Sequence, residues 1–268
     1  MGRLGDTFAR LRAERHGGLI AYVTAGDPDS PRSEEILVGL AEGGADVLEV
    51  GVPFSDPVAD GPVIQRASER ALAAGMTLNG TLDLVRRLRD RIETPVVLFT
   101  YANPVLRMDP AVFAERARAA GADGVLMLDY PVEEAEPLRG PLVAAGLDPI
   151  FLISPTTTDE RLRRAGEVGS GFLYGVSRTG VTGMRDAVAD SAEALATRMR
   201  RETRLPVALG FGLSRPEHIR AVGQWADAAV VGSALVDVIA KAGDSPAVAG
   251  DVERFVRWLK GDGTVAHG

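Results

Sequence analysis

Eight short runs of apolar and β-branched residues recur along the chain, at 18–24, 46–52, 95–101, 123–129, 149–154, 171–176, 206–211 and 227–232. Between them, apolar residues return at three- and four-residue spacing over 34–42, 64–73, 78–91, 111–119, 158–168, 187–200, 216–222 and 234–241. The first pattern predicts strands buried on both faces, and the second predicts amphipathic helices. Together they suit a parallel sheet covered by helices, since crossover helices leave neither face of such a sheet to water. Eight strand–helix units in 268 residues predict an α/β fold, a single closed (β/α)8 TIM barrel spanning 1–268. An extra N-terminal helix over 3–15 and another over 249–260 are expected to cover the barrel ends. The sequence shows no linker, low-complexity tract or second core.

Two units are oversized. The second runs 49 residues from strand start to strand start and the sixth 35, against about 25–30 for a bare unit. The excess falls in 53–63 and 177–187, directly after strands 2 and 6, on the barrel face that carries active sites in this architecture. Long loops there are candidate lids.

Composition narrows the chemistry. A net charge of −7 gives no footprint for a nucleic-acid backbone, and no apolar run approaches the ~18 residues of a membrane span. The absence of cysteine removes thiolate nucleophiles, disulfides and iron–sulfur ligation. The N-terminus has no apolar signal core, which makes a cytoplasmic location the simplest expectation. His16, His218 and His267 are too scattered for a metal cluster or a Ser/His/Asp triad, and the two lysines, Lys241 and Lys260, lie in helical patterns rather than at strand ends. Carboxylates, hydroxyls and backbone groups are left to do the work.

Alternation in the second strand puts Leu48, Val50 and Val52 on one side and Val47, Glu49 and Gly51 on the other. A carboxylate facing the apolar helix layer would cost several kcal/mol or take up a proton, so Glu49 is expected to point into the barrel. A Glu there, with its pKa raised, suits general acid–base catalysis; a core carboxylate paired with an arginine is the competing reading. Asp60 stands before Gly61-Pro62, where it is either a functional carboxylate or a helix cap, and Asp56 is either a turn former or a partner contact. Both lie in the oversized loop beside the strand of Glu49. Glycine-rich strand ends follow strands 6, 7 and 8, at Gly180-Val-Thr-Gly183, Gly210-Phe-Gly-Leu-Ser214 and Gly232-Ser233. Such loops let backbone N–H groups and helix N-termini hold a phosphate without basic side chains, which points to a phosphorylated substrate.

The motifs Ala21-Tyr-Val-Thr-Ala-Gly-Asp-Pro28, Leu48-Glu-Val-Gly-Val-Pro-Phe-Ser-Asp-Pro57 and Ala59-Asp-Gly-Pro-Val-Ile-Gln65 closely resemble those of tryptophan synthase alpha subunits. Tyr101-Ala-Asn-Pro104, Ser177-Arg-Thr-Gly-Val-Thr-Gly183, Gly210-Phe-Gly212 and Gly232-Ser233 extend the resemblance in order over about 20–235. It implies retro-aldol cleavage of indole-3-glycerol phosphate to indole and glyceraldehyde 3-phosphate. The family's general acid–base maps to Glu49, and its partner for the indole N–H maps to Asp60. The resemblance further implies an indole pocket at Tyr22, Phe99, Tyr101, Leu126, Leu128 and Tyr174. It implies phosphate contacts at Gly183, Phe211, Gly212, Gly232 and Ser233, with Thr182 in the closing loop. The family works as an α2β2 complex whose pyridoxal phosphate belongs to the beta subunit, so no cofactor is expected in this chain. Pro53 and Asp56 map to the partner interface. Tyr130 stands where a smaller aliphatic residue is expected, and Phe99 where leucine is common; either narrows the indole pocket or rests harmlessly against it.

Four readings follow: the alpha subunit, a stand-alone lyase releasing free indole, a barrel kept as an allosteric or structural partner, and another phosphate-binding barrel such as a sugar isomerase. Together, Glu49, Asp60 and the three phosphate loops favour the first.

Overall fold

The computed structural model describes residues 2–14, 16–176, 185–210 and 212–262, with backbone alone over 185–190. Eight parallel strands close into a ring: β1 (Gly18–Thr24), β2 (Val47–Gly51), β3 (Val96–Thr100), β4 (Gly124–Met127), β5 (Asp148–Ile153), β6 (Leu173–Val176), β7 (Val207–Gly210) and β8 (Ala228–Val231). Each pairs with the next, and β8 returns to β1 through Gly18↔Ala228 to Ala21↔Val231. The (β/α)8 barrel is the expected one, and its strands lie within two residues of the apolar runs that signalled them. No helix among the described residues is long and apolar enough to cross a membrane.

Alternation divides the buried residues into two cores. One face of each strand meets the helices, and the other fills the barrel with Ile20, Val47, Val97, Leu126, Ile150 and Phe172, among others. The N-terminal helix α1 (Arg3–Glu14) plugs the bottom of that interior, as expected. Leu4, Phe8 and Leu11 share one helical face and are buried, and the Phe8 ring lies 5.5 Å from that of Phe172. Three aspartates that immediately precede β2, β4 and β8 hold the plug. Asp46, Asp123 and Asp227 accept bonds from Arg10 (2.8 Å), Arg3 (3.1 Å) and Arg12 (2.8 Å) of α1. Their second oxygens accept from Leu19, Val96 and Val207 N–H, within the first two residues of the neighbouring strands. Strand-end donors and helix guanidiniums thus satisfy the same buried carboxylates.

The two helices expected in the second unit form as α3 (Pro62–Ala73) and α4 (Leu78–Leu88), so its extra length is a helix as well as a loop. Elsewhere the helices depart from expectation in three places. Unit three carries α5 (Ala102–Met108) before α6 (Pro110–Ala120). After β4 come a 3-10 turn (Val132–Glu134) and α7 (Glu136–Ala144), where no helix was expected, because Pro137 and Pro141 break the apolar period. The remaining helices are α2 (Ser30–Glu42), α8 (Asp159–Val168), α9 (Arg185–Glu202), α10 (Pro216–Trp225), α11 (Ser233–Ala242) and α12 (Val248–Leu259). The C-terminal helix was expected to cap a barrel end. Instead, α12 lies along α2 on the flank, burying Val248, Val252 and Val256, because its apolar stripe matches a helix face rather than the barrel mouth. The lid expected after strand 6 falls largely on 177–184, outside the described residues; 185–187 open α9.

Candidate active site

Glu49 lies at the centre of β2, in register with Tyr22 of β1 and Val97 of β3. It is 0% exposed, and neither carboxylate oxygen has a hydrogen-bond partner among the described residues. The arginine partner of the competing reading is therefore absent among them. Burial without compensation pushes the Glu49 carboxyl up to about 8, so it holds its proton at neutral pH. A carboxylic acid kept neutral by its surroundings, with both oxygens free, can donate a proton to a substrate that enters the barrel.

The interior cluster surrounds this group with Tyr22, Phe99, Leu126 and Tyr174, and Leu128 packs against it half-buried. Tyr22 and Phe99 meet edge to face at 4.9 Å, and the Tyr22 hydroxyl lies 3.3 Å from Thr24 Oγ1. Two tyrosines depend on glycine at the adjacent strand end. A methyl group at Gly51 would stand 2.8 Å from Tyr22 Cζ, and one at Gly210 would stand 2.9 Å from Tyr174 Cε2. Gly51→Ala is therefore expected to displace the Tyr22 ring, destabilise the barrel by about 1–3 kcal/mol and raise KM. Urea unfolding together with steady-state kinetics checks both effects.

Asp60 is held from the opposite side. Tyr101, at the end of β3, donates its hydroxyl to Asp60 Oδ2 at 3.1 Å and accepts from Ala59 N–H at 3.1 Å. Gln65 Nε2 donates to the carbonyls of Asp60 (3.1 Å) and Pro57 (3.3 Å), folding the loop onto the first turn of α3. Gly61 occupies the cap position of α3 with Pro62 next, and no side chain caps the helix, which removes the capping role for Asp60. Burial raises the Asp60 carboxyl to about 6, against a smaller opposing effect of the Tyr101 hydrogen bond. Earlier in the loop, Phe54 lies 5.1 Å from the Tyr101 ring, and Ser55 Oγ donates to Asp56 at 2.6 Å. Pro53 is buried, Asp56 is exposed, and Val58 is 82% exposed, so the loop's apolar surface is offered by Val58 rather than Pro53.

At the loops expected to hold phosphate, Gly212 has φ +76°, which favours glycine, and Gly232 precedes Ser233 at the start of α11, a helix that no side chain caps. The first-turn N–H groups there have no carbonyl partner within the helix and can serve an anion. Thr182, Gly183 and Phe211 lie outside the described residues. No group of three metal-ligating side chains occurs among the described residues.

Sequence reasoning missed part of the pocket wall. Val63 and Ile64 of α3, Leu152 of β5 and Val176 of β6 pack against the interior cluster, and Ala67 of α3 belongs to it. The helical period of 63, 64, 67 and 71 was visible, but not that this face would turn toward the barrel mouth. Tyr130 packs with the outer core and lines a cleft of about 310 Å³ with Met127, Phe151 and Ala165, which it shares with Leu128 and Leu152. Phe99 does sit inside, against Tyr22.

The model for the family described as tryptophan synthase alpha chain matches residues 8–260. The tryptophan synthase alpha chain of Burkholderia thailandensis is 51% identical over 261 residues, covering 97% of this chain and 96% of that one. Among solved structures, tryptophan synthase subunit alpha from Legionella pneumophila superposes with a TM-score of 0.89 at 36% identity, covering 97% of each chain. A chain of tryptophan synthase from Mycobacterium tuberculosis reaches 0.88 at 36% identity, with 96% of each covered. With a carboxylic acid buried in a closed barrel, a second carboxylate at its mouth and these matches over nearly its whole length, the chain belongs to the tryptophan synthase alpha chain family.

Proposed function

We propose that this chain performs the lyase reaction of its family, cleaving indole-3-glycerol phosphate to indole and glyceraldehyde 3-phosphate, with Glu49 as proton carrier and Asp60 as counter-charge. The observation that carries the reading is the Glu49 carboxyl, fully buried, unpartnered among the described residues and on the barrel-interior face of β2. Protonated at neutral pH, it gives its proton to indole C3, and the ring nitrogen becomes cationic. Asp60, one oxygen held by Tyr101, receives the indole N–H and stabilises that cation. The Glu49 carboxylate then takes the proton of the glycerol hydroxyl next to the ring. The C–C bond breaks, its electron pair returns to the indole, and the aldehyde forms. Glu49 ends protonated, as it began. Tyr22, Phe99, Leu126, Leu128 and Tyr174 hold the ring, and backbone groups at Gly183, Phe211, Gly212, Gly232 and Ser233 hold the phosphate. Closure of the loop with Thr182 keeps water from the proton transfers.

The working form in this reading is an α2β2 complex in the cytoplasm. A beta subunit with pyridoxal phosphate consumes the indole, and the 53–60 loop, with Asp56 and the exposed Val58, forms part of the partner surface. This chain needs no cofactor of its own, since both proton transfers and the counter-charge come from side chains. The test is steady-state release of glyceraldehyde 3-phosphate, first with the chain alone and then with the beta subunit from the same source. Slow release that rises strongly with the beta subunit is expected. Fast release without it would replace this reading with the stand-alone lyase, and no release in either case would leave only a non-catalytic barrel or another substrate.

A further inference from the structure

The Asp60 carboxylate stands on a loop, yet its position depends on α3, the extra helix of the second unit. Gln65 in the first turn of α3 bonds the carbonyls of Asp60 and Pro57, so that turn and the Asp60 backbone move together. The helix itself has a weak apolar grip: its fully buried side chains are only Ala67, Ser68 and Ala71, with Val63 and Ile64 half-buried over the barrel mouth. Near its other end, Arg70 makes a paired contact with Asp27 in the turn after β1. Nε donates to Oδ1 at 2.7 Å and Nη2 to Oδ2 at 2.8 Å. Asp27 is 1% exposed. Its turn is fixed in turn to α2, because Gly26 N–H donates to Ser33 Oγ at 3.0 Å and Asp29 caps α2 through Arg32 N–H at 2.9 Å.

An exposed ion pair contributes little, but a two-bond guanidinium–carboxylate contact with a buried carboxylate fixes both distance and orientation. Removing one partner leaves a charge in an apolar setting. The turn after β1 is therefore a rigid anchor, Arg70 joins α3 to it, and Gln65 joins α3 to Asp60. We propose that Asp27 and Arg70 are positioning residues, an ion-pair latch that seats α3 over the barrel mouth and thereby sets where the Asp60 carboxylate meets the indole ring. This rests on the role given above to Asp60.

The experiment uses the full chain in complex with its beta subunit. Arg70→Met is expected to lower kcat/KM for indole-3-glycerol phosphate at least about tenfold, since misplacement by about an ångström costs that much or more. The inhibition constant of inorganic phosphate, which reports the phosphate loops, should stay unchanged, and Arg70→Lys should recover part of the loss. Asp60 becomes exposed to water once α3 is unseated, and the lost burial outweighs the lost Tyr101 hydrogen bond, so the acid limb of the kcat/KM profile should move from near pH 6 toward the ordinary carboxylate range. A double variant, Asp27→Asn with Arg70→Met, removes the buried charge along with the latch. Stability should return toward the wild-type value while kcat/KM stays low. If the double variant regains both, the pair is merely structural and the proposal is overturned. Asp60→Asn serves as the reference. If it loses activity and the latch variants do not, the latch alone fails; if Asp60→Asn keeps full activity, the role of Asp60 fails and the latch proposal falls with it.

Discussion

Replacing Glu49 with glutamine is expected to lower kcat by about 10³-fold or more, within the usual contribution of a general acid–base group, and at the same time to stabilise the chain by about 4 kcal/mol at pH 8. The activity loss follows because the amide can neither give a proton to the indole ring nor take one from the glycerol hydroxyl. The stability gain follows from the environment. Burial raises the carboxyl from 4.5 to about 8 with no compensating partner among the described residues. Between these values the folded chain holds a proton that the unfolded chain has lost. Stability therefore falls as pH rises through the window from 4.5 to about 8, and below 4.5 the penalty is absent. Glutamine has nearly the same shape as the neutral acid and never ionises, so it escapes the penalty. Urea unfolding of both proteins at pH 4.5 and pH 8 measures this: the gain should be near zero at the lower pH and largest at the higher. An equal gain at both would mean that the Glu49 carboxylate is not held protonated by burial. Stability given up at the position proposed as proton carrier is a familiar trade.

Asp60→Asn is the second large effect. Removing a preorganised counter-charge from a buried site costs about 10²–10³-fold in rate, and that loss is expected here in kcat/KM. The pH profile gives a sharper signature. In the proposed mechanism Asp60 must be ionised to receive the indole N–H, and burial brings its carboxyl to about 6, so the wild-type rate should fall as pH drops through 6. At the other end, Glu49 must begin protonated, and the rate should fall as pH rises through about 8. In the Asp60→Asn enzyme the acid limb should disappear while the alkaline limb stays. An acid limb that survives the substitution would assign it to another group.

The barrel was legible because its strands are buried on both faces: each reads as an unbroken apolar run, whichever side a residue ends on. Helices with a clean apolar period were equally plain, whereas α7 was hidden by Pro137 and Pro141, whose rings interrupt the pattern but are tolerated in and near the first turn or at a solvent-facing turn. The site divided along similar lines. Glu49 declared itself from alternation alone, since an acid amid Val47, Leu48, Val50 and Gly51 has no other economical place than the barrel interior. Asp60 did not, because a carboxylate before Gly-Pro suits a helix cap as well as a catalytic role. The structure removes the cap, because Gly61 holds that position, and ties the Asp60 carboxylate to Tyr101, 41 positions away in sequence and 3.1 Å away in space.

By itself, then, the sequence determined the fold class, the placement of Glu49 inside the barrel, the glycine-rich strand ends and a motif pattern specific to one family. These are properties of local period and residue type, which a linear chain carries directly. The tertiary structure alone decided that no arginine among the described residues compensates Glu49, that α3 turns Val63 and Ile64 toward the mouth, that Tyr130 packs with the outer core, and that Arg70 reaches Asp27. Each of these is a contact between segments far apart along the chain, and which long-range neighbours a side chain acquires is set only when the ring of strands closes.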